Sequence, residues 1–293
     1  MRILRRSQAM RAASRRLRAQ GLGIAFVPTM GFLHEGHASL LRRARGLADR
    51  VVLSIFVNPL QFGPREDFGA YPRDLRRDLA LARREQVDLV YMPAAAAMYP
   101  PGYRTRVQVR ELADRLCGVH RPGHFDGVAT VVLKLLHQVE PDVLLLGQKD
   151  AQQALIVQRL LRDLDLEVHL VVGSTVREPD GLAMSSRNSY LAPRERAQAP
   201  AIYAALLAGV AAIAAGERRT AAVRQVIAER LARAPLVRPE YVAVVDTGDL
   251  APHDRLPSEA LVLVAARLGR ARLIDNVLVR TGGGRRTRRH PSG

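Results

Sequence analysis

His34 and His37 lie in the stretch Phe-Val-Pro-Thr-Met-Gly-Phe-Leu-His-Glu-Gly-His-Ala-Ser-Leu-Leu, residues 26–41. The apolar run 24–27 reads as a buried strand that Pro28 should end, because proline has no N–H for a sheet ladder. After a turn with Gly31 and Gly36, apolar residues recur at Ala38, Leu40, Leu41, Ala44, Leu47 and Ala48, which is a helical stripe. Both histidines therefore belong between a strand end and a helix start, where free N–H groups and the helix dipole favour an anion. Two imidazoles placed there can donate hydrogen bonds to phosphate oxygens. Zinc is a poorer fit, since His-Glu-x-x-His is absent and these histidines flank a glycine in a turn.

Four other clusters carry possible chemistry. Asn58 and Gln61, in Phe-Val-Asn-Pro-Leu-Gln-Phe, set neutral donors and acceptors beside apolar side chains. That suits a small ligand with a hydroxyl, a carboxylate and a methyl-bearing body, although Asn-Pro also simply opens turns. Gly147-Gln148-Lys149-Asp150-Ala151-Gln152-Gln153 follows another apolar run. Lys149 stands out in a chain that writes nearly all its cations as arginine; a compact ammonium can pivot onto phosphates, and Asp150 can accept from ribose hydroxyls. Met184-Ser185-Ser186-Arg187 offers two hydroxyls and a cation for the outer phosphates of a nucleotide, though Ser-Ser-Arg is also ordinary loop composition. Asp74 and Asp78 lie one helical turn apart, and Asp78 is the candidate magnesium ligand, with a solvated helix face as its alternative. Arg121 and His124 sit in a glycine-rich loop that either lines a pocket or organises itself.

The elements that must position these residues alternate. Strands are expected at 24–27, 51–56, 89–92, 143–146 and 168–172, and helices at 38–48, 75–84, 128–139 and 152–164, after a first helix within 1–20. Short apolar strands with helical crossovers imply a doubly wound, Rossmann-like α/β domain whose parallel sheet binds ligands at its carboxyl edge. All the clusters fall there. Gly-x-Gly-x-x-Gly is missing after the first strand, which disfavours a dinucleotide enzyme. Two helices (197–215, 221–231) and three strands (241–245, 261–265, 273–279) then imply a smaller α+β domain. The expected division is 1–179, a lid domain at 180–281, and a flexible basic tail at 282–293.

At these residues the chain resembles a known superfamily. Thr29-x-Gly31-x-Leu33-His34-x-Gly36-His37 is similar to the His-x-Gly-His signature of nucleotidylyl transferases and class I aminoacyl-tRNA synthetases. Met184–Arg187 resembles their Lys-Met-Ser-Lys-Ser loop, with Ala183 and Arg187 in place of the lysines. Five blocks over roughly 26–191 resemble the pantothenate synthetases in particular. That resemblance implies ATP-dependent joining of pantoate to β-alanine through a pantoyl adenylate, with release of AMP and pyrophosphate. It implies ATP on Met30, His34, His37, Gly147, Lys149 and Asp150, with Met184, Ser185, Ser186 and Arg187 at its phosphates. It implies pantoate on Gln61 and Gln153, with Asn58 shaping the site. His34, His37, Lys149, Ser185 and Arg187 are the expected catalytic donors. Magnesium would accompany ATP; the family's acidic pair is Arg77-Asp78 here. A homodimer is expected. The alternative is another nucleotidylyl transferase that keeps the nucleotide on its substrate.

Composition narrows the class. The 293 residues allow two domains, and 48% apolar content marks a globular chain. No apolar run reaches membrane-spanning length, and the Arg-rich start lacks the central apolar block of a secretory signal. One cysteine, Cys117, excludes a disulfide framework within the chain and suits a cytoplasmic protein. The net charge of +17 suggests a nucleic-acid binder. Yet the arginines are spread along the whole length and aromatics are only 4%, so a binding stripe is not indicated.

Overall fold

A computed structural model of the chain describes residues 1–64 and 66–281, so the expected tail at 282–293 lies outside the described residues. Six strands form one parallel sheet in the order β1-β4-β3-β2-β5-β6. They are β1 (Arg2–Leu4), β2 (Ile24–Thr29), β3 (Arg50–Ile55), β4 (Leu89–Tyr91), β5 (Val143–Gly147) and β6 (His169–Gly173). The principal crossover helices are α1 (Ser7–Ala19), α2 (Glu35–Arg45), α3 (Leu75–Arg84), α6 (His124–Val139) and α7 (Ala151–Asp163), with short α4 (Ala95–Met98) and α5 (Cys117–His120) between α3 and α6.

Strand periodicity assigns the faces. Phe26 and Leu144 are buried with Met10, Val132 and Ile156 on one side. Ala25, Val27 and Leu145 are buried with Leu41, Leu53 and Leu81 on the other. Continuous apolar strands are what a sheet covered on both faces requires. The chain moves outward from β2 to β3 and later returns beside β2 as β5, and such a reversal of strand order opens a crevice at the strand ends.

Three sequence expectations need correction here. Pro28 does not end β2; the strand runs on to Thr29, pairing Pro28 with Ser54 of β3. β5 pairs only Ala25 and Phe26, so that side of the ladder has ended before proline's missing N–H matters. β1, three residues at the sheet edge, was hidden within the expected first helix. Helix α6 begins at His124 rather than 128 and contains Gly127, because a Cβ there would lie 2.3 Å from the Leu60 carbonyl oxygen. A glycine read as loop is a close-approach point.

Beyond β6, α8 (Pro193–Gln198), α9 (Ala201–Ala214) and α10 (Thr220–Ala232) precede an antiparallel sheet, β7 (Arg238–Asp246), β8 (Glu259–Leu268) and β9 (Ala271–Arg280). Val262 and Val264 of β8 pack with Ile202, Leu206, Val223 and Ile227 of α9 and α10. Leu261 and Leu263 instead join the core that contains Phe26 and Leu144. Pro193–Ala214, counted across the turn between α8 and α9, is 22 residues long and apolar enough by length and composition to cross a membrane. Ile202, Ala205, Leu206 and Ile213 of this span are buried against α10 and the small sheet, as in a core helix.

Candidate active site

The β2–α2 junction is built around a carboxylate. Thr29 Oγ1 donates to the Ser54 carbonyl at 2.7 Å and accepts the Gly31 N–H at 3.2 Å. Gly31 has φ +83°, and a Cβ on it would lie 2.9 Å from Asp78 Oδ2. The two oxygens of Asp78, 2% exposed, accept the backbone N–H groups of Phe32 (2.9 Å) and Leu33 (2.6 Å). The assignment of Asp78 to magnesium is therefore corrected. Both its oxygens are committed to the loop, and burial raises its pKa, an effect the two N–H donors only partly offset. Among the described residues no group of three or more His, Cys, Asp or Glu could hold a metal ion.

His34 is the N-cap of α2. Its Nδ1 accepts the Gly36 N–H at 3.2 Å, and His37 Nδ1 accepts the His34 N–H at 3.2 Å. A Cβ on Gly36 would lie 2.9 Å from His34 Cε1, so glycine is needed for this cap. With Nδ1 accepting, the proton of each neutral ring sits on Nε2, leaving one outward N–H donor per ring. The ring centroids are 4.1 Å apart. Burial, and then the charge of Lys149, lower the His34 pKa from 6.5 to about 4. Burial, and then His34, hold His37 well below 6.5. The two imidazoles are neutral donors at pH 7; the fixed positive charge comes from Lys149.

Lys149 lies in a 3-10 turn (Gln148–Asp150) between β5 and α7, its Nζ 3.5 Å from Asp150 Oδ1. This turn is gripped from the small sheet by a residue the motifs did not indicate. Asn276 Nδ2 donates to the carbonyls of Gln148 (2.9 Å) and Lys149 (3.1 Å), and Asn276 Oδ1 accepts from Gln148 Nε2 at 2.9 Å. The adjacent Asp275, 4% exposed, takes a two-pronged ion pair from Arg177 at 2.6 and 3.0 Å. Arg177 in turn stacks 3.5 Å from the Tyr203 ring centroid. Nothing local to 275–276 in the sequence signals these roles.

Ser185 caps a 3-10 turn (Ser186–Tyr190) by accepting the Arg187 N–H at 3.2 Å, and Ser186 Oγ lies 3.4 Å from the Phe32 carbonyl. The Arg187 guanidinium is already engaged: Nε and one terminal nitrogen each meet Asp67 at 3.0 Å, and the Tyr190 hydroxyl donates to the same carboxylate. Burial works against the Asp67 charge, but the Arg187 fork outweighs it and holds the carboxyl below its usual range.

On the opposite wall Asn58, 1% exposed, is saturated by protein. Its Nδ2 donates to Gln61 Oε1 (3.1 Å) and the Gly127 carbonyl (3.0 Å), and its Oδ1 accepts from Tyr99 Oη (2.7 Å) and the Leu60 N–H (3.3 Å). With no polar atom left over, Asn58 positions Gln61 rather than contacting a ligand, which corrects its assignment as a binding residue. The Gln61 carbonyl accepts from His124 Nδ1 at 2.8 Å, and His124 Nε2 accepts from Arg121, which pairs with Glu66 at 2.7 Å. His124 and Arg121 thus hold this loop together and also border the space that Gln61 faces, so both roles open to them are filled. Gln153 faces the same space with no protein hydrogen bond among the described residues.

Two joined cavities result, about 220 Å³ within and about 360 Å³ outside. Met30, His34, His37, Gln61, Gly147, Met184 and Ser186 line the inner one, while Lys149, Asp150, Gln153, Ser185 and Arg187 line both. Every sequence-expected site residue borders this space except Asp78. The outer wall adds Arg267, Arg270 and Arg272 from the small sheet.

Known proteins resemble this chain over nearly its whole length. The family model described as pantoate-beta-alanine ligase matches residues 2–278. The pantothenate synthetase of Heliobacterium modesticaldum is 51% identical over 279 residues, covering 95% of this chain and 99% of that protein. The one from Geobacillus kaustophilus is 52% identical over 271 residues, 92% of this chain and 90% of that protein. The crystal structure of pantothenate synthetase from Thermus thermophilus superposes with a TM-score of 0.90 at 47% identity, covering 94% and 99% of the two chains. That of pantoate-beta-alanine ligase from Francisella tularensis, complexed with beta-gamma ATP and beta-alanine, gives 0.77 at 33% identity, covering 95% and 97%. Matched over nearly its whole length at about half identity, the chain belongs to the pantoate–β-alanine ligase family.

Proposed function

We propose that the chain condenses pantoate with β-alanine at the expense of ATP. A carboxylate oxygen of pantoate attacks the α-phosphorus, the bond to the β-phosphate oxygen breaks, and pyrophosphate leaves. The β-alanine nitrogen then attacks the pantoyl carbonyl carbon. The bond to AMP breaks, AMP leaves with the bonding pair, and the nitrogen gives up its proton to solvent, which completes the amide. Adenylylation converts an oxygen that leaves poorly into one that leaves well.

One observation carries this reading: donors suited to a triphosphate and donors suited to a hydroxy acid border one continuous cavity. The outward N–H groups of His34 and His37, the Lys149 ammonium and the hydroxyls of Ser185 and Ser186 supply fixed partners for charge developing on the phosphoryl group. Gln61 and Gln153 face the acid. Holding both reactants in line is most of the catalysis expected. Arg187 joins the donors through the part of its guanidinium that Asp67 does not occupy.

The described residues do not fit a protein-built magnesium cage; the ion would arrive with the nucleotide, held by its phosphates and by water. A homodimer in the cytoplasm remains the expected form. Light scattering should give twice the 32.3 kDa chain mass. The deciding experiment for function is exchange of labelled pyrophosphate into ATP without β-alanine. Exchange should require pantoate; exchange without it, or none with it, overturns the reading.

A further inference from the structure

We infer that Tyr99 is a positioning residue for the acid half of the site: through Asn58 it fixes Gln61 so that the side-chain nitrogen is the donor offered to an oxygen of the substrate acid. This rests on the function proposed above.

The polarity of the relay follows from its two backbone ends. The Leu60 N–H can only donate, so the Asn58 atom facing it at 3.3 Å is the oxygen. The Gly127 carbonyl can only accept, so the Asn58 atom 3.0 Å from it is the nitrogen. The second N–H of that nitrogen meets Gln61 at 3.1 Å, which makes the Gln61 atom its oxygen. Gln61 Nε2 is left to face the cavity, where its protein neighbour is the weakly accepting Met30 thioether at 3.1 Å. A substrate atom that meets Nε2 must bring a lone pair. A hydroxyl or carboxylate oxygen does so, and an ammonium does not.

Tyr99 makes this orientation rigid. Its hydroxyl supplies the short bond to Asn58 Oδ1, 2.7 Å, where the one other donor among the described residues, the Leu60 N–H, is at 3.3 Å. Burial raises its pKa, so the phenol keeps the proton it donates. The ring is held between Phe56 and Tyr103, with centroids 6.3 and 5.1 Å away, and Lys134 Nζ lies 5.8 Å from it. Tyr99→Phe keeps that packing and removes the hydroxyl alone.

The test is a double-mutant cycle of Tyr99→Phe and Gln61→Ala, read as KM for pantoate and for ATP. Tyr99→Phe should raise the pantoate KM about tenfold, the scale of one lost buried hydrogen bond, with the ATP KM unmoved. In the Gln61→Ala background it should add nothing, because the relay ends at Gln61. Equal effects in both backgrounds, or an equal rise in the ATP KM, overturn the inference. Failure of pantoate itself to support exchange would instead remove the proposed function, so the two failures are distinguishable.

Discussion

The Asp78 carboxylate accepts the Leu33 backbone N–H at 2.6 Å across a sequence separation of 45 residues. That bond and its twin to Phe32 set the loop from which His34 departs. Asp78→Asn replaces one accepting oxygen by a donor facing an N–H group. The expected loss is about 1–3 kcal/mol of unfolding free energy, the cost of a buried group left unpaired. Denaturant melts should show it, together with slower turnover and an unchanged magnesium requirement. A shifted magnesium requirement with unaltered stability would restore the metal assignment.

His37→Ala should reduce turnover about 10²–10³-fold, as for loss of one transition-state donor. Steady-state rates at saturating ATP check this, and an undiminished rate would take His37 off the donor set.

The imidazole pKa values give stability a pH dependence of known sign. His34, at about 4, and His124, at about 3, are both depressed from 6.5 by burial. Below 6.5 the unfolded chain takes up these protons before the folded one does. Their contribution to stability is therefore complete above 6.5 and is lost as pH falls toward 4 and below. Unfolding free energy should drop between pH 7 and 5, and more weakly in His34→Gln.

Gly127→Ala should disturb Gln61 without touching a ligand. The new methyl would stand 2.3 Å from the Leu60 oxygen and 2.6 Å from the Gln61 nitrogen, both backbone atoms with little room to yield. Overpacking of this kind costs about 1–3 kcal/mol. Thermal melts should register it, with the pantoate KM rising more than the ATP KM.

Asn276→Leu removes both donors from the Lys149-bearing turn. The ATP KM should rise and turnover fall by at least about tenfold, since two carbonyls lose their partners. Parallel assays of Lys149→Ala and of the double variant should show sub-additive losses, because both act through the same cation.

Legibility in the sequence followed the range of the interaction. His34 and His37 are organised by hydrogen bonds within three positions of themselves, so their spacing carried the signal. The parallel sheet was legible because its strands are apolar on both faces. Asp78 was misread because a carboxylate on a helix looks alike whether it meets a metal or a distant loop. Asn58 was misread because its four partners include Tyr99 and Gly127, 41 and 69 positions away. Asn276 gave no warning at all: its partner carbonyls lie on another sheet's loop, and backbone acceptors leave no trace in residue types. Pro28 obeyed a correct rule whose premise, a complete ladder on both sides, does not hold at that position.

The clasp of Asn276 on the Lys149 carbonyl spans 127 positions. A growing chain acquires both imidazoles early, but the turn that carries the ammonium gains its clasp only when β9 has been made. A fragment that stops before 271 would therefore hold both imidazoles beside a turn without its clasp, and should turn ATP over more slowly than the full chain.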